Sequence, residues 1–149
     1  MVLKAYQMIK IRGQDRHGAG HYRAPRKGRR HSGIDIIIHK NEAVIAYEGG
    51  EVSKIGYPYN PEDTKKGHLR YVQVTTDSGD RFRYFYVGPL VNVGDTVGRG
   101  DIIGSAQGLA EIYKGITEHI HLEIMKPGRG KSFYDPVPIL EGLGYEFLG

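Results

Sequence analysis

The segment His119-Ile-His-Leu-Glu-Ile124 constrains this chain more than any other stretch, because it alternates polar and apolar residues at period two. That alternation belongs to a half-buried strand. His119, His121 and Glu123 then share one face, while Ile120, Leu122 and Ile124 pack into a core on the other. A second motif, His31-Ser-Gly-Ile-Asp35, lies far upstream. Gly33 permits a turn there, and the β-branched run Asp35-Ile-Ile-Ile38 starts a strand. Asp35 is thus expected at a strand mouth, with His31 folded back over it. A helical reading, with His31 and Asp35 at i and i+4, is weakened by Gly33 and the isoleucines. Each histidine alone reads as a surface or hydrogen-bonded core residue. Together the motifs can supply three zinc ligands and leave one imidazole free, the composition of an open catalytic site rather than a closed structural one.

The rest of the sequence predicts an all-β single domain. Strand patterns fall at residues 35–38, 43–46, 51–55, 71–76, 82–87, 101–105 and 118–125. Glycine-rich turn signals separate them, and Asp77-Ser-Gly-Asp80 reads as a hairpin joining two antiparallel strands. The 22 glycines suit a chain of many tight turns. No segment has sustained helical periodicity, although residues 109–113 are compatible with one short turn. In Tyr84-Phe85-Tyr86, alternation is read as placing Phe85 in the core and the tyrosines toward a groove. Residues 57–67 form an exposed insertion, either a variable surface loop or one wall of a groove. Tyr145 and Phe147 are expected to pack the end of the chain onto the domain. The organisation is a basic, glycine-rich segment (1–30), a β core (31–141) and a tail (142–149).

His31-x-x-x-Asp35 followed by His119-x-His121 resembles the lysostaphin-type zinc endopeptidases, which cut peptide cross-links in bacterial cell walls. The resemblance spans roughly residues 13–141. Residues 91–104 match the hairpin before the His-x-His strand of that family, and residues 134–140 match its closing segment. Within the superfamily the likeness is nearest to the leukocyte-derived chemotaxin branch, through Gly18-Ala-Gly-His-Tyr22, the arginine-rich stretch before His31, and Ile112-Tyr-Lys-Gly-Ile116. The resemblance implies a two-layer antiparallel sheet with a metal groove. It further implies one zinc ion on His31, Asp35 and His121, with His119 unligated and catalytic. Active members usually carry a second catalytic histidine where this chain has Tyr86. The chemotaxin branch also has tyrosine there and is regarded as lacking ordinary peptidase activity. A phenol, with a pKa near ~10, donates a hydrogen bond to an oxyanion but is a poor base at neutral pH. His68 is a weak substitute for the missing imidazole.

Composition sets limits. The 149 residues suffice for one domain, and the absence of cysteine excludes disulfides and thiolate ligands. No transmembrane run is present, and residues 1–6 are too short and polar for a signal peptide. The expected setting is extracellular, at the cell wall, with a phage-encoded, virion-associated enzyme favoured over a processed bacterial one. The net charge of +4 is uneven. Arg12, Arg16, Arg23, Arg26, Lys27, Arg29 and Arg30 crowd the segment before His31, as either a solvated loop or a surface for an anionic partner. A wall is preferred to nucleic acid, since no groove-reading motif accompanies the charge. His17 and His21 read as surface histidines of this loop. Three functions follow: a zinc endopeptidase on peptidoglycan peptides, a zinc-bearing binding module for a wall or protein partner such as a virion neighbour, or a metal-free structural protein.

Overall fold

The computed structural model describes residues 8–148, so the expectation for residues 1–6 lies outside the described part. In chain order the elements are β1 (Met8–Ile9), β2 (Pro25–Arg26), β3 (Arg29–Arg30), β4 (Ile34–Ile37), β5 (Ala43–Ile45), β6 (Gly50–Gly56), β7 (Tyr71–Thr75), β8 (Arg81–Phe85), β9 (Val87–Pro89), β10 (Thr96–Val97), β11 (Ile102–Ala106), β12 (His119–Met125), β13 (Phe133–Tyr134), α1 (Pro136–Gly142) and β14 (Glu146–Phe147). All seven segments expected to be strands are strands.

The main sheet is antiparallel, in the order β10-β6-β7-β8-β12-β13, and β4 also pairs with β12. A second antiparallel sheet runs β5-β11-β9. Both sheets feed one core, in which Val44, Val87 and Ile103 of the smaller sheet join Val72, Phe82, Tyr84 and Leu122 of the larger. The hairpin at residues 77–80 joins β7 to β8 in unbroken register from Tyr71↔Phe85 to Thr75↔Arg81.

The segment before His31 is part of this architecture. It runs along the outer edge of β4, where the backbone N–H of Ile37 donates to Lys10 (2.8 Å), that of Arg12 to Asp35 (2.8 Å), and that of Asp35 to Gly20 (2.8 Å). These bonds satisfy an edge that would otherwise invite pairing with another chain. The tail is tied down as well. β14 pairs in parallel with β1, and the Tyr145 hydroxyl donates to the Tyr47 carbonyl at 2.7 Å. Tyr145 is buried and Phe147 packs against the core, as expected.

Two expectations are corrected. Residues 136–142 form a helix, although their apolar run is too short to show a helical period. Its start is nevertheless signalled chemically: Asp135 caps it by accepting from the Val137 N–H at 3.0 Å, and Pro136 opens its first turn. Tyr84 is fully buried, with its hydroxyl accepting from the Tyr47 N–H, while Phe85 faces the groove. The alternation of β8 places Phe82 and Tyr84 inward and Arg81, Arg83 and Phe85 outward. Tyr86 also reaches the groove because its backbone breaks that alternation, at a φ of 70°. The chain bends at Ser32-Gly33, as expected, without a left-handed backbone at Gly33. A Cβ there would lie 2.1 Å from the Leu122 carbonyl oxygen, so glycine is required for the close approach of the His31 loop to β12.

Candidate metal centre

Sheet register assembles the site. In β12, His121 stands directly opposite Asp35 of β4 on one side and Phe85 of β8 on the other. His119 and Glu123 flank His121 on the same face, and Glu123 is opposite Arg83. The loop before β4 then brings His31 over Asp35. His31, Asp35 and His119 are buried, as is Glu123.

The donor atoms form a tight triangle. His31 Nε2 lies 2.9 Å from His121 Nδ1, and Asp35 Oδ1 lies 3.1 Å from each nitrogen. A tetrahedral cation with bonds near 2.0–2.1 Å needs ligand atoms about 3.3–3.4 Å apart, so these three fit zinc with only a slight opening of the triangle. The other polar atom of each of these side chains is held from behind. His31 Nδ1 donates to the His21 carbonyl at 2.9 Å, which leaves Nε2 free to ligate. His121 Nε2 is 2.9 Å from Glu123 Oε1, and Glu123 also accepts from Ser32 Oγ at 3.0 Å and from Arg83 at 3.2 Å. Asp35 Oδ2 accepts from Arg12 Nη1 at 2.7 Å, with Arg26 Nη2 at 3.5 Å. Arg12 is itself held by Asp15 through two bonds, at 2.8 and 2.9 Å.

The electrostatics follow from these contacts. Burial disfavours the Asp35 carboxylate, yet hydrogen bonds from His121 and His31 hold its pKa well below the usual range. Burial likewise opposes the His121 imidazolium, but bonds to Asp35 and Glu123 override it and raise the pKa to about 9. A proton must therefore leave His121 before its Nδ1 can ligate a cation. His119 differs. Burial pushes its pKa down, only partly offset by Asp35, and its Nδ1 is bonded to the Thr117 carbonyl at 2.7 Å. Its Nε2 faces the centre, 3.5 Å from Asp35 Oδ2. The Tyr86 ring meets the His119 ring edge-on at 5.9 Å. Burial and the hydroxyl of Tyr59 raise the Tyr86 pKa well above the ordinary phenol value, so Tyr86 is a proton donor and not a base. These groups line a cleft of about 460 Å3 that also includes Tyr59, Tyr113 and His17.

Residues 29–136 match the sequence profile of Peptidase family M23. The chain belongs to that family. Among curated relatives, the M23 chain is 29% identical over 113 residues to Leukocyte cell-derived chemotaxin-2 of Bos taurus, covering 76% of this chain and 72% of the relative. It is 31% identical over 117 residues to Myeloid protein 1 of Gallus gallus, of which it spans only 34%. Among solved structures, lysostaphin in solution superposes with a TM-score of 0.68 at 24% identity, covering 93% of this chain and 57% of that one. LytU superposes at 0.63 with 26% identity, over 87% and 86%. M23 peptidases depend on zinc in general, and His31, Asp35 and His121 form a group able to hold a metal ion.

The structure thus brings together every residue singled out for the site: His31, Asp35 and His121 in the triangle, His119 and Tyr86 beside it. His68 lies in other clefts, bordered by Gln107 and Thr64, and does not reach His119. His21 contributes its carbonyl to His31 rather than its ring, which is exposed. His17 sits at the cleft rim, with Nε2 2.8 Å from the Lys114 carbonyl. The sequence reading missed the pairing of buried Arg12 with half-buried Asp15. Arg12 was grouped with its basic neighbours, although it is 4% exposed and bonded to a metal-site carboxylate. It also missed Arg83, which the outward alternation of β8 should have aligned with Glu123.

Proposed function

We propose that this chain is a zinc-dependent endopeptidase acting on the peptide cross-links of bacterial peptidoglycan. The observation that carries the reading is the buried His119, unligated at the edge of a complete donor triangle and held by its Nδ1 so that Nε2 points inward. Zinc on His31, Asp35 and His121 would supply a Lewis acid that acidifies water and polarises a peptide carbonyl. His119 Nε2 takes the proton from the attacking water and later gives it to the leaving amine, a role suited to an imidazole whose burial keeps it neutral. The Tyr86 hydroxyl donates to the developing oxyanion, a type of contact worth about 2.7–4 kcal/mol elsewhere. The lysostaphin-like fold supports action at a wall, and the cysteine-free composition favours a bacterial or phage setting over an animal one. Among the described residues no helix is long and apolar enough to cross a membrane.

The test is a zymogram on bacterial walls with zinc-depleted and zinc-restored protein. Clearing that disappears on depletion and returns with zinc is expected. A folded, zinc-loaded protein that clears no wall would remove the reading.

A second reading has its own support. Tyr86 stands where a second imidazole would assist proton transfer, and the chemotaxin relatives match the chain over 76% of its length. In that reading the chain keeps its metal and binds wall peptide or a protein partner without turnover. Tyr86→His separates the two: a several-fold rise in hydrolysis by the substituted protein is expected for an enzyme limited at this position. No hydrolysis by either protein favours the binder.

A further inference from the structure

A second cleft, of about 530 Å3, continues from the metal site past Ser32, Phe85 and Glu123, on the side that excludes His119, Tyr86 and Tyr113. Its charge is one-sided. Arg29 and Arg30 of β3, Arg83 of β8 and Lys131 of the loop before β13 line it against a single carboxylate, Glu123. That carboxylate is already engaged by His121, Ser32 and Arg83. Among the described residues, Arg29, Arg30 and Lys131 have no ion-pair partner, and Arg30 and Lys131 are exposed. Arg83 is fixed in place: its guanidinium stacks 4.7 Å above the Tyr71 ring and 5.1 Å from that of Phe85, and its Nε is buried without an acceptor. Like charges gathered on one wall of a cleft raise the local concentration of an oppositely charged ligand.

We infer that this cleft is a subsite for a carboxylate-bearing peptide, which it holds on the acyl side of the bond presented to the metal centre. Continuity with the metal cleft selects a peptide as the occupant, because a chain lying across the donor triangle must extend into one neighbouring cleft or the other. His119 hands its proton to the leaving amine, so the amine half lies toward His119 and the acyl half toward Arg83 and Lys131. The aromatic floor of Tyr71, Phe85 and Phe133 accommodates the apolar part of the residue while the cations meet its carboxylate. The inference rests on the peptidase reading for its orientation, but the anion preference does not require turnover.

The probe is a synthetic wall-type peptide with one free carboxylate on the acyl side, paired with a twin in which a carboxamide replaces it. Binding to the full chain is followed by fluorescence anisotropy, with and without zinc, and products are read separately by mass spectrometry. The acid is expected to bind about fivefold tighter than its twin, chiefly from the three cations without a carboxylate partner, Arg29, Arg30 and Lys131. The preference should fade at high salt, and Arg30→Gln combined with Lys131→Gln should abolish it while leaving zinc content unchanged. Equal binding of the twins overturns the subsite, even if both are hydrolysed. A preference that survives the double substitution, or that appears only with zinc, also overturns it, since the carboxylate is then held by the metal. A preference lost in the double variant, without products from either peptide, supports the subsite and removes only the hydrolytic reading.

Discussion

The groove has two ends, and the two histidines of one motif belong to different ones. His121 sits at the carboxylate end, between Asp35 and Glu123, where two acids hold its ring and raise its pKa to about 9. His119, two residues away on the same strand face, sits at the carbonyl-and-phenol end, bonded to Thr117 and flanked by Tyr86, and burial lowers its pKa. Strand alternation puts both rings on one surface and nothing more. The partners across the sheet give the two rings different surroundings, and the proposed ligand and proton carrier differ for that reason. The lesson is that a His-x-His pattern is one geometric unit with two chemical environments, set by Asp35 of β4, Glu123 of β12 and the non-strand residues Tyr86 and Thr117.

The sharpest way to break this comparison is to substitute one group from each end. Asp35→Ala is expected to lose zinc and to destabilise the fold by about 3–5 kcal/mol, because it removes the buried carboxylate that Arg12, His31 and His121 share and leaves Arg12 with Asp15 alone. His119→Ala should keep zinc at full occupancy and lower hydrolysis by about 10²- to 10⁴-fold. Metal content by mass spectrometry and wall clearing are read on the same samples. Zinc loss from His119→Ala, or zinc retention by Asp35→Ala, would show that the two ends had been assigned the wrong way round.

A smaller effect sharpens the carboxylate end. Glu123 touches no ligand position itself, but it orients His121 through Nε2 and is braced by Ser32 and Arg83. Glu123→Gln keeps the shape and removes the charge, so zinc affinity measured by chelator competition should fall about 10- to 100-fold. An unchanged affinity would mean that the register of β12 alone holds the His121 ring in place.

Much of this was legible in the sequence, for a physical reason. The strands of the sheet announce themselves through period-two alternation, and the same alternation puts His119, His121 and Glu123 on one face. Asp35 was legible because a β-branched run follows it. What escaped were contacts made across strands or by chain folding back. Arg12 looks like one of seven basic residues in a glycine-rich segment, and nothing local marks it as the one that turns inward to Asp35. Tyr86 faces the groove as expected, but by a left-handed backbone and not by the alternation that suggested it. Phe85 was misplaced although Arg83 two residues earlier already marked the outward face of β8. Helix α1 was hidden by its brevity, but the Asp135-Pro136 pair carried its start.

The smallest expected effect tests whether the N-terminal segment is part of the site's support. Asp15 accepts from Arg12, from the Thr117 N–H at 2.9 Å and from the His17 N–H at 2.7 Å. It therefore links the guanidinium on Asp35 to the residue whose carbonyl holds His119. The bonds from Arg12, first, and from these backbone groups hold the Asp15 carboxyl well below the usual range, outweighing burial. A carboxyl lowered in the folded state binds fewer protons there than in the unfolded chain. Its contribution is thus fully present above the ordinary value of about 3.9 and is lost as pH falls below it. Asp15→Asn should cost about 1.5–3 kcal/mol near pH 7, measured by urea unfolding of chelator-treated protein. The gap from the unsubstituted chain should close as the pH is taken below about 4. A gap that stays constant with pH would mean that Asp15 acts through its shape and not its charge, and the support for Asp35 would then rest on Arg12 and Arg26 alone.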